Sequence, residues 1–204
     1  QGNWNGITGE IKLVATPKVF IDDIKVFPDV EKKVAKVIIR VKNPGKDDFT
    51  GDLRIWARTV SSDKEKKLPV KKISVITNSD QQQVIINYKI LNPELWSEFN
   101  PVLYKLSASL KSSDRKTTDF MSVDFGMREF KTNGTRFEIN SIPVFLRGTT
   151  ECCIFPLTGY PPSDIESWEK VLQTCRDYGL NHVRFHSFCP PEAAFIAADR
   201  LGVY

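Results

Sequence analysis

The sequence of 204 residues has no long apolar run and few of the residues that usually mark metal or redox chemistry. No segment approaches the roughly 18 consecutive apolar residues of a membrane-spanning helix, so we predict no membrane partner. It has two histidines and four cysteines, and no CxxC pair occurs. His186 and Cys189 are spaced to touch one ion, but a zinc site needs two further ligands. We therefore expect no metal and no cofactor.

All four cysteines, Cys152, Cys153, Cys175 and Cys189, lie in the last quarter of the chain. Adjacent cysteines do not readily pair with each other, so we expect free thiols, most of them buried. The start, QGNWNGITGE, has neither the basic residues nor the apolar stretch of a signal peptide. A mature protein would already have lost that signal. We favour an exported protein, periplasmic or secreted, with a cytoplasmic one as the alternative.

Positive charge is only slightly in excess, with 29 basic and 25 acidic residues. The lysines concentrate in EKKVAK (31–36) and DKEKKLPVKK (63–72), where acids are mixed among them. We interpret these stretches as solvated strand edges and turns, since edge lysines also discourage strand-to-strand aggregation. A basic face interleaved with aromatic residues is missing, so no nucleic-acid partner is predicted.

Up to Asp124 the sequence shows short alternating or apolar segments separated by turn residues such as NPGKDD (43–48). Alternation rich in valine, isoleucine and aromatic residues predicts strands. Seven such strands without intervening helices predict two facing antiparallel sheets, an immunoglobulin-like sandwich over residues 11–125. The predicted strands are IKLVAT, VFIDDIKVF, KVIIRVKN, GDLRIWARTV, QQVIINYKI, LYKLSASL and TDFMSVDF.

The pattern changes after Phe125. RFEINSIPVFLRG predicts a hairpin and a strand, and TTECCIFPLTGYPP a long loop. A helix follows, with Ser163 or Asp164 as its cap and Glu166 spaced as in a capping box. Gly179 ends it, LNHVRFHS is the next strand, and PPEAAFIAADRLG is a second helix with a glycine stop. The apolar face of the first helix comprises Trp168, Val171, Leu172 and Cys175.

Strand, helix, strand, helix at this spacing predicts a parallel sheet. Two strands and two helices cannot cover both faces of such a sheet. The sequence ends at LGVY, where a third strand would begin. We therefore expect residues 126–204 to be the opening units of a larger α/β domain, and the chain to be a fragment.

Several segments, in order, resemble the middle of glycoside hydrolase family 2 enzymes, the β-galactosidases, β-mannosidases and β-glucuronidases. They are GNWNGITGEIKLVATPKVFIDDIKVFPD, LWSEFNPVLYKLSASL, FGMREF, FEINSIPVFLRG and YGLNHVRFHSFCPPEAAFIAADRLGVY. The resemblance implies a sugar-binding jelly roll of which residues 1–10 are the remnant. It also implies the sandwich and then a TIM barrel of which residues 126–204 are the first two of eight units. The alternative is a non-catalytic β-sandwich that binds carbohydrate or supports another domain.

The resemblance also implies a retaining glycosidase, whose two catalytic carboxylates come from later barrel strands. We therefore assign no catalytic residue here and expect the fragment alone to be inactive. Arg184, at the carboxyl end of the second barrel strand, would hydrogen-bond and orient the nucleophile. The alternative for Arg184 is a purely structural strand end.

Many family β-galactosidases have their histidine three residues after this arginine. Here His186 comes two after it, with Ser187 in the histidine's place, and we predict that His186 contacts a sugar hydroxyl. Tyr160 and Phe188, together with Phe155, are candidates for stacking on a sugar ring. The expected partners are a carbohydrate substrate, the rest of the parent chain and, through uncovered barrel surfaces, a second copy of the chain.

Overall fold

The structure, a computed structural model, describes residues 11–60 and 65–204, which are mainly β. The chain divides into two compact units. The β-sandwich unit comprises Val14–Leu95 and Val102–Glu129. The βα unit comprises Trp96–Pro101 and Phe130–Tyr204, with residues 11–13 of the described part. The predicted jelly-roll remnant, residues 1–10, lies outside the described residues.

In its described residues the β-sandwich unit has seven strands in two antiparallel sheets. One sheet has the order β1-β2-β5 and the other β4-β3-β6-β7. Within the second sheet, Leu53 of β3 lies opposite Ile73 of β4 and Leu110 of β6. The strands are β1 Phe20–Asp29, β2 Val34–Lys42, β3 Phe49–Thr59, β4 Lys71–Thr77, β5 Gln81–Lys89, β6 Leu103–Ser112 and β7 Thr118–Gly126.

Strict alternation in the strands builds one core between the two sheets. In β3, Leu53, Ile55 and Ala57 are buried while the residues between them are partly or fully exposed. Strands of both sheets contribute to this single apolar cluster, including Ile39 of β2 and Leu106 of β6. The predicted pair of facing antiparallel sheets is therefore observed, because the period of two places one side of every strand inside.

One predicted strand is not formed, and one strand that forms was not predicted. IKLVAT (11–16) forms no strand, and its side chains Ile11 and Leu13 are 79% and 103% exposed. An alternating pattern yields a strand only where a neighbour supplies hydrogen bonds, and within the described residues this segment pairs with none. The seventh strand is instead β4, at the sheet edge, which begins with Lys71 and Lys72 inside the lysine-rich stretch. Lys71 and Lys72 therefore lie on an edge strand, as expected, whereas Lys36 of EKKVAK lies in β2, the middle strand of its sheet.

Within the part of the chain that the structure describes, the βα unit has a three-stranded antiparallel meander, β8-β9-β10, followed by two parallel strands and two helices. None of the described helices is long and apolar enough to cross a membrane. The elements are β8 Phe130–Asn133, β9 Arg136–Ile139, β10 Ile142–Val144, β11 Gly148–Glu151, α1 Ile165–Asp177, β12 His182–Phe185 and α2 Glu192–Leu201.

The helix ends agree with the sequence in most details. Asp164 caps α1, with its carboxylate accepting a hydrogen bond of 2.8 Å from the Ser167 amide. The cap is therefore Asp164 and not the Ser163 capping box. Gly179 and Gly202 follow the two helices with φ of 77° and 71°, the left-handed conformation expected of a glycine stop.

Candidate functional site

The parallel strands β11 and β12 form the base of the candidate site. Gly148 lies opposite His182 and Thr150 lies opposite Arg184. A parallel pair needs a crossover connection, here supplied by a long loop and α1. The carboxyl ends of both strands therefore lie at the same edge, where the loops into α1 and α2 begin.

The two helices cover one face of this pair. Val183 and Phe185 of β12 pack into an apolar cluster that includes Trp168, Leu172 and Ala197 of the helices. The ring centroids of Phe185 and Trp168 are 5.8 Å apart in an edge-on arrangement. Because strand side chains alternate, Arg184, which lies between Val183 and Phe185, is directed to the opposite face.

Arg184 is exposed on that opposite face. It is the second-last residue of β12, so it stands at the carboxyl end of the strand, where the sequence placed it. Among the described residues, no side chain makes a hydrogen bond or ion pair with its guanidinium group. His182, two residues earlier, shares the face. Gly148 leaves room for its ring, since a Cβ there would lie 2.4 Å from His182 Nδ1.

His186 lies just beyond the strand and is exposed. Its amide donates a hydrogen bond of 2.9 Å to the Glu151 carbonyl, which joins the carboxyl ends of β11 and β12. Ser187 Oγ lies 3.3 Å from His186 Nδ1. Ser187 has φ of 55° and Cys153, after β11, has φ of 53°. Non-glycine residues in this conformation are uncommon and concentrate at functional sites.

The loop aromatics occupy different environments. Tyr160 is 55% exposed. Phe155 packs edge-on against Trp168 at 5.7 Å, and Phe188 is partly buried against the helix cluster. Of the three, Tyr160 presents the most open ring for stacking.

Two of the acids of this unit, Glu151 and Glu169, have structural partners. Glu151 Oε1 accepts a hydrogen bond of 2.6 Å from the Cys153 amide. Glu169 forms an exposed ion pair of 2.9 Å with Arg200. Glu192 stands in the first turn of α2, where a negative charge suits the helix dipole.

The four cysteines are free, as expected, but they are not all buried. Cys153 is buried, Cys152 and Cys175 are partly buried and Cys189 is exposed, so the expectation that most of these thiols are buried was wrong. Burial, reinforced by the neighbouring Glu151 carboxylate, raises the pKa of the Cys153 thiol to about 12. Among the described residues no group of three or more His, Cys, Asp or Glu side chains could hold a metal ion.

Thiol alkylation should separate these cysteines. A pKa of about 12 leaves only a trace of Cys153 thiolate at about pH 8, and the thiolate is the reacting form. Iodoacetamide at that pH should therefore label Cys189 first and leave Cys153 unmodified until the protein unfolds. Peptide mass mapping after increasing labelling times tests this order, and early labelling of Cys153 in the folded protein would contradict it.

At the opposite edge, before the strands begin, lies a buried polar cluster that the sequence did not reveal. Asn181 directly precedes β12 and its side-chain amide donates to the buried carboxylate of Glu98. The Arg147 amide, directly before β11, donates to Asn181 Oδ1 at 2.8 Å, and its guanidinium lies 3.3 Å from Glu98. Arg176 donates to the Glu98 carbonyl at 2.9 Å. These hydrogen bonds join the Glu98 segment to the residues directly before β11 and β12.

Comparison with known proteins identifies the class. The family model described as glycosyl hydrolases family 2 matches residues 19–128, more than half of the chain. The chain belongs to this family.

The matched relatives are much longer proteins. The chain is 23% identical over 211 residues to a β-galactosidase of Oenococcus oeni, covering 100% of this chain and 20% of that protein. It is 24% identical over 208 residues to a β-glucuronidase of Rattus norvegicus, covering 98% of this chain and 29% of that protein. The chain thus spans between a fifth and a third of the length of these relatives.

Solved structures share the fold. A glycosyl hydrolase family 2 member from Bacteroides cellulosilyticus superposes with a TM-score of 0.77 at 23% identity, over 92% of this chain and 24% of that one. A β-glucuronidase from Bacteroides uniformis gives a TM-score of 0.76 at 21% identity, with the same coverage. The mainly β fold of the chain is therefore that of family 2 structures.

Proposed function

We propose that this chain is a piece of a retaining family 2 glycoside hydrolase that acts on β-linked galactosides or related sugars. In this proposal residues 1–10 end a sugar-binding jelly roll, residues 11–125 are an immunoglobulin-like sandwich, and residues 126–204 open the catalytic (β/α)8 barrel. The piece itself lacks the catalytic carboxylates.

The order of the strands supports an immunoglobulin-like sandwich. The seven strands of its described residues form sheets of three and four around one core. Tyr104, near the start of the sixth strand, accepts a hydrogen bond of 2.8 Å from the Glu94 amide through its hydroxyl. A tyrosine at the start of that strand, bonded back to upstream backbone, is a hallmark of immunoglobulin-like domains. Its ring also stacks on Phe125 with centroids 5.4 Å apart.

The parallel pair supports the opening of a barrel. Helices α1 and α2 pack on one face of β11 and β12, and the face that carries Arg184 has no helix on it within the described residues. In a (β/α)8 barrel the helices lie outside and the other strand face lines the interior. The same open face would otherwise have to bind a second copy of the chain.

The observation that carries the proposal is the position of Arg184. It stands exposed at the carboxyl end of β12, on the face away from the helices, and barrel enzymes build their sites at that end. A guanidinium fork binds a carboxylate through two parallel hydrogen bonds and favours its ionised form. Arg184 would therefore orient the nucleophile that later strands supply, His186 would contact a sugar hydroxyl, and Tyr160 would stack on a ring.

A hydrolysis assay tests the proposal. The full-length protein that carries this sequence should release nitrophenol from at least one of the β-galactoside, β-glucuronide and β-mannoside substrates. The 204-residue chain alone should give no turnover above buffer, because both carboxylates are outside it. Product anomers followed by NMR should show retention of configuration. A full-length protein that binds these sugars without cleaving any of them would favour the non-catalytic sandwich instead.

A further inference from the structure

The register of the parallel pair places Thr150 beside Arg184. The two residues are partners across β11 and β12, and each is the second-last residue of its strand. The hydrogen bond of 2.9 Å from the His186 amide to the Glu151 carbonyl continues the ladder and fixes this register at the carboxyl edge. Paired strands lie about 4.8 Å apart, so the backbones of Thr150 and Arg184 are near neighbours.

The Thr150 side chain shares the face of Arg184. Arg184 lies on the face of β12 that is turned away from the helices. Residues paired across a sheet point to the same side of it, because successive side chains alternate in both strands. The pair two residues earlier shows this direction in the structure, since a Cβ on Gly148 would lie 2.4 Å from Nδ1 of its partner His182.

The residues on either side of Thr150 are directed to the helices instead. Thr149 is the partner of Val183, which packs into the helix cluster. Burial raises the pKa of the Cys175 thiol in α1 and the Glu151 carboxylate raises it further, which places that carboxylate on the helix side. Two adjacent threonines of β11 therefore lie on opposite faces, and only Thr150 is on the face of the candidate site.

A guanidinium group that binds a carboxylate still needs other acceptors. It has five N–H donors, of which a bidentate carboxylate takes two, and the remaining three lose their water when a site closes around them. Among the described residues no side chain accepts a hydrogen bond from Arg184. The Thr150 hydroxyl is the polar group that the register places beside it. This hydroxyl can accept a hydrogen bond, and the β-branched side chain that carries it has few conformations.

We propose that Thr150 is a positioning residue for Arg184. In the complete enzyme its hydroxyl accepts a hydrogen bond from the Arg184 Nε–H, which leaves the two terminal nitrogens to bind the nucleophile carboxylate in parallel. The inference rests on the proposed function, in which later strands supply that carboxylate. Thr150 acts through Arg184 and touches neither the sugar nor the reacting atoms, so its contribution to activity exists only while Arg184 is present.

Thr150→Val and Thr150→Ser in the full-length protein test this role on a nitrophenyl glycoside that the wild type cleaves. Valine keeps the shape of threonine without the hydroxyl, whereas serine keeps the hydroxyl. Thr150→Val should lower kcat/KM by about tenfold and Thr150→Ser by less than about twofold, because only the first removes a hydrogen bond to a charged group. Thr149→Val is the matched control on the opposite face and should keep the wild-type value.

The Arg184→Met background distinguishes positioning from other roles. In that background Thr150→Val should change kcat/KM by less than about twofold, because the effects of residues that act through one another are not additive. If Thr150→Val costs tenfold there as well, Thr150 acts independently of Arg184, by packing or by contact with the sugar, and the proposal is wrong.

The remaining outcomes separate this role from the proposed function. A full-length protein that cleaves no glycoside would overturn the proposed function and the role of Thr150 with it. A protein that cleaves a glycoside and keeps its kcat/KM in Thr150→Val, or loses the same amount in Thr150→Val and Thr150→Ser, would overturn the role of Thr150 alone. A lowered thermal midpoint of Thr150→Val with full specific activity of the folded fraction would make Thr150 a packing residue.

Discussion

Arg184→Met in the full-length protein is expected to lower kcat/KM by about 30- to 1,000-fold, because a positioned charge at a reacting group commonly contributes about 2 to 4 kcal/mol. The thermal midpoint should change little. Arg184 is exposed and no described side chain bonds its guanidinium, so its removal leaves no buried group without a partner. Steady-state kinetics and thermal melting of the same preparations measure both quantities.

Two further variants sharpen this result. Arg184→Lys should not restore activity, because an ammonium group supplies charge without the bidentate geometry. Arg200→Met is the matched control. It removes an arginine of the same unit whose 2.9 Å pair with Glu169 is exposed, and such pairs contribute little. If Arg184→Met lowers the melting temperature while its folded fraction keeps full specific activity, Arg184 is a structural strand end.

Much of the β-sandwich unit was predictable because apolar and polar residues alternate within most of its strands. The alternation in GDLRIWARTV places Leu53, Ile55 and Ala57 on the buried side of the strand, and this does not depend on which strands pair with it. The failures lie where a strand depends on a partner. IKLVAT alternates but pairs with no described strand. β4 is an edge strand, and the lysines around its apolar residues Ile73 and Val75 weaken the strand pattern in the sequence.

In the βα unit the sequence predicted elements better than contacts. Gly179 and Gly202 marked the helix ends, and Arg184 lies at the carboxyl end of its strand, where it was expected. The buried pair of Asn181 and Glu98 joins residues 83 positions apart, and no local pattern encodes such a separation. Asn181, a polar residue directly before a strand, was the one available indication.

Some features of the candidate site were also predictable from the sequence and others were not. Spacing placed Arg184 and His186 at a strand end, and the family resemblance supplied their roles. The left-handed backbone at Ser187 and the contact of its hydroxyl with His186 depend on loop geometry. Loops have no periodicity from which such positions can be predicted.

The strongest effect on folding is expected at Gly202, where the turn after α2 approaches the segment that carries Glu98. A Cβ on residue 202 would lie 2.9 Å from both the Cα and the carbonyl oxygen of Glu98, and 3.1 Å from Arg176 Nη1. Two of these three atoms are backbone, which cannot rotate away. Moving that backbone also disturbs the Glu98 carboxylate and its hydrogen bond from Asn181.

Gly202→Ala is therefore expected to lower the free energy of unfolding of the βα unit by about 2 to 4 kcal/mol. About 1 kcal/mol comes from the left-handed conformation and the rest from overpacking. Gly179→Ala isolates the first contribution, since Gly179 has φ of 77° and nothing within 4 Å of an added Cβ, and it should cost about 1 kcal/mol. Urea denaturation followed by helical circular dichroism reports on this unit, because both described helices belong to it. Equal losses in the two variants would show that the close approach of residue 202 to Glu98 does not contribute to stability.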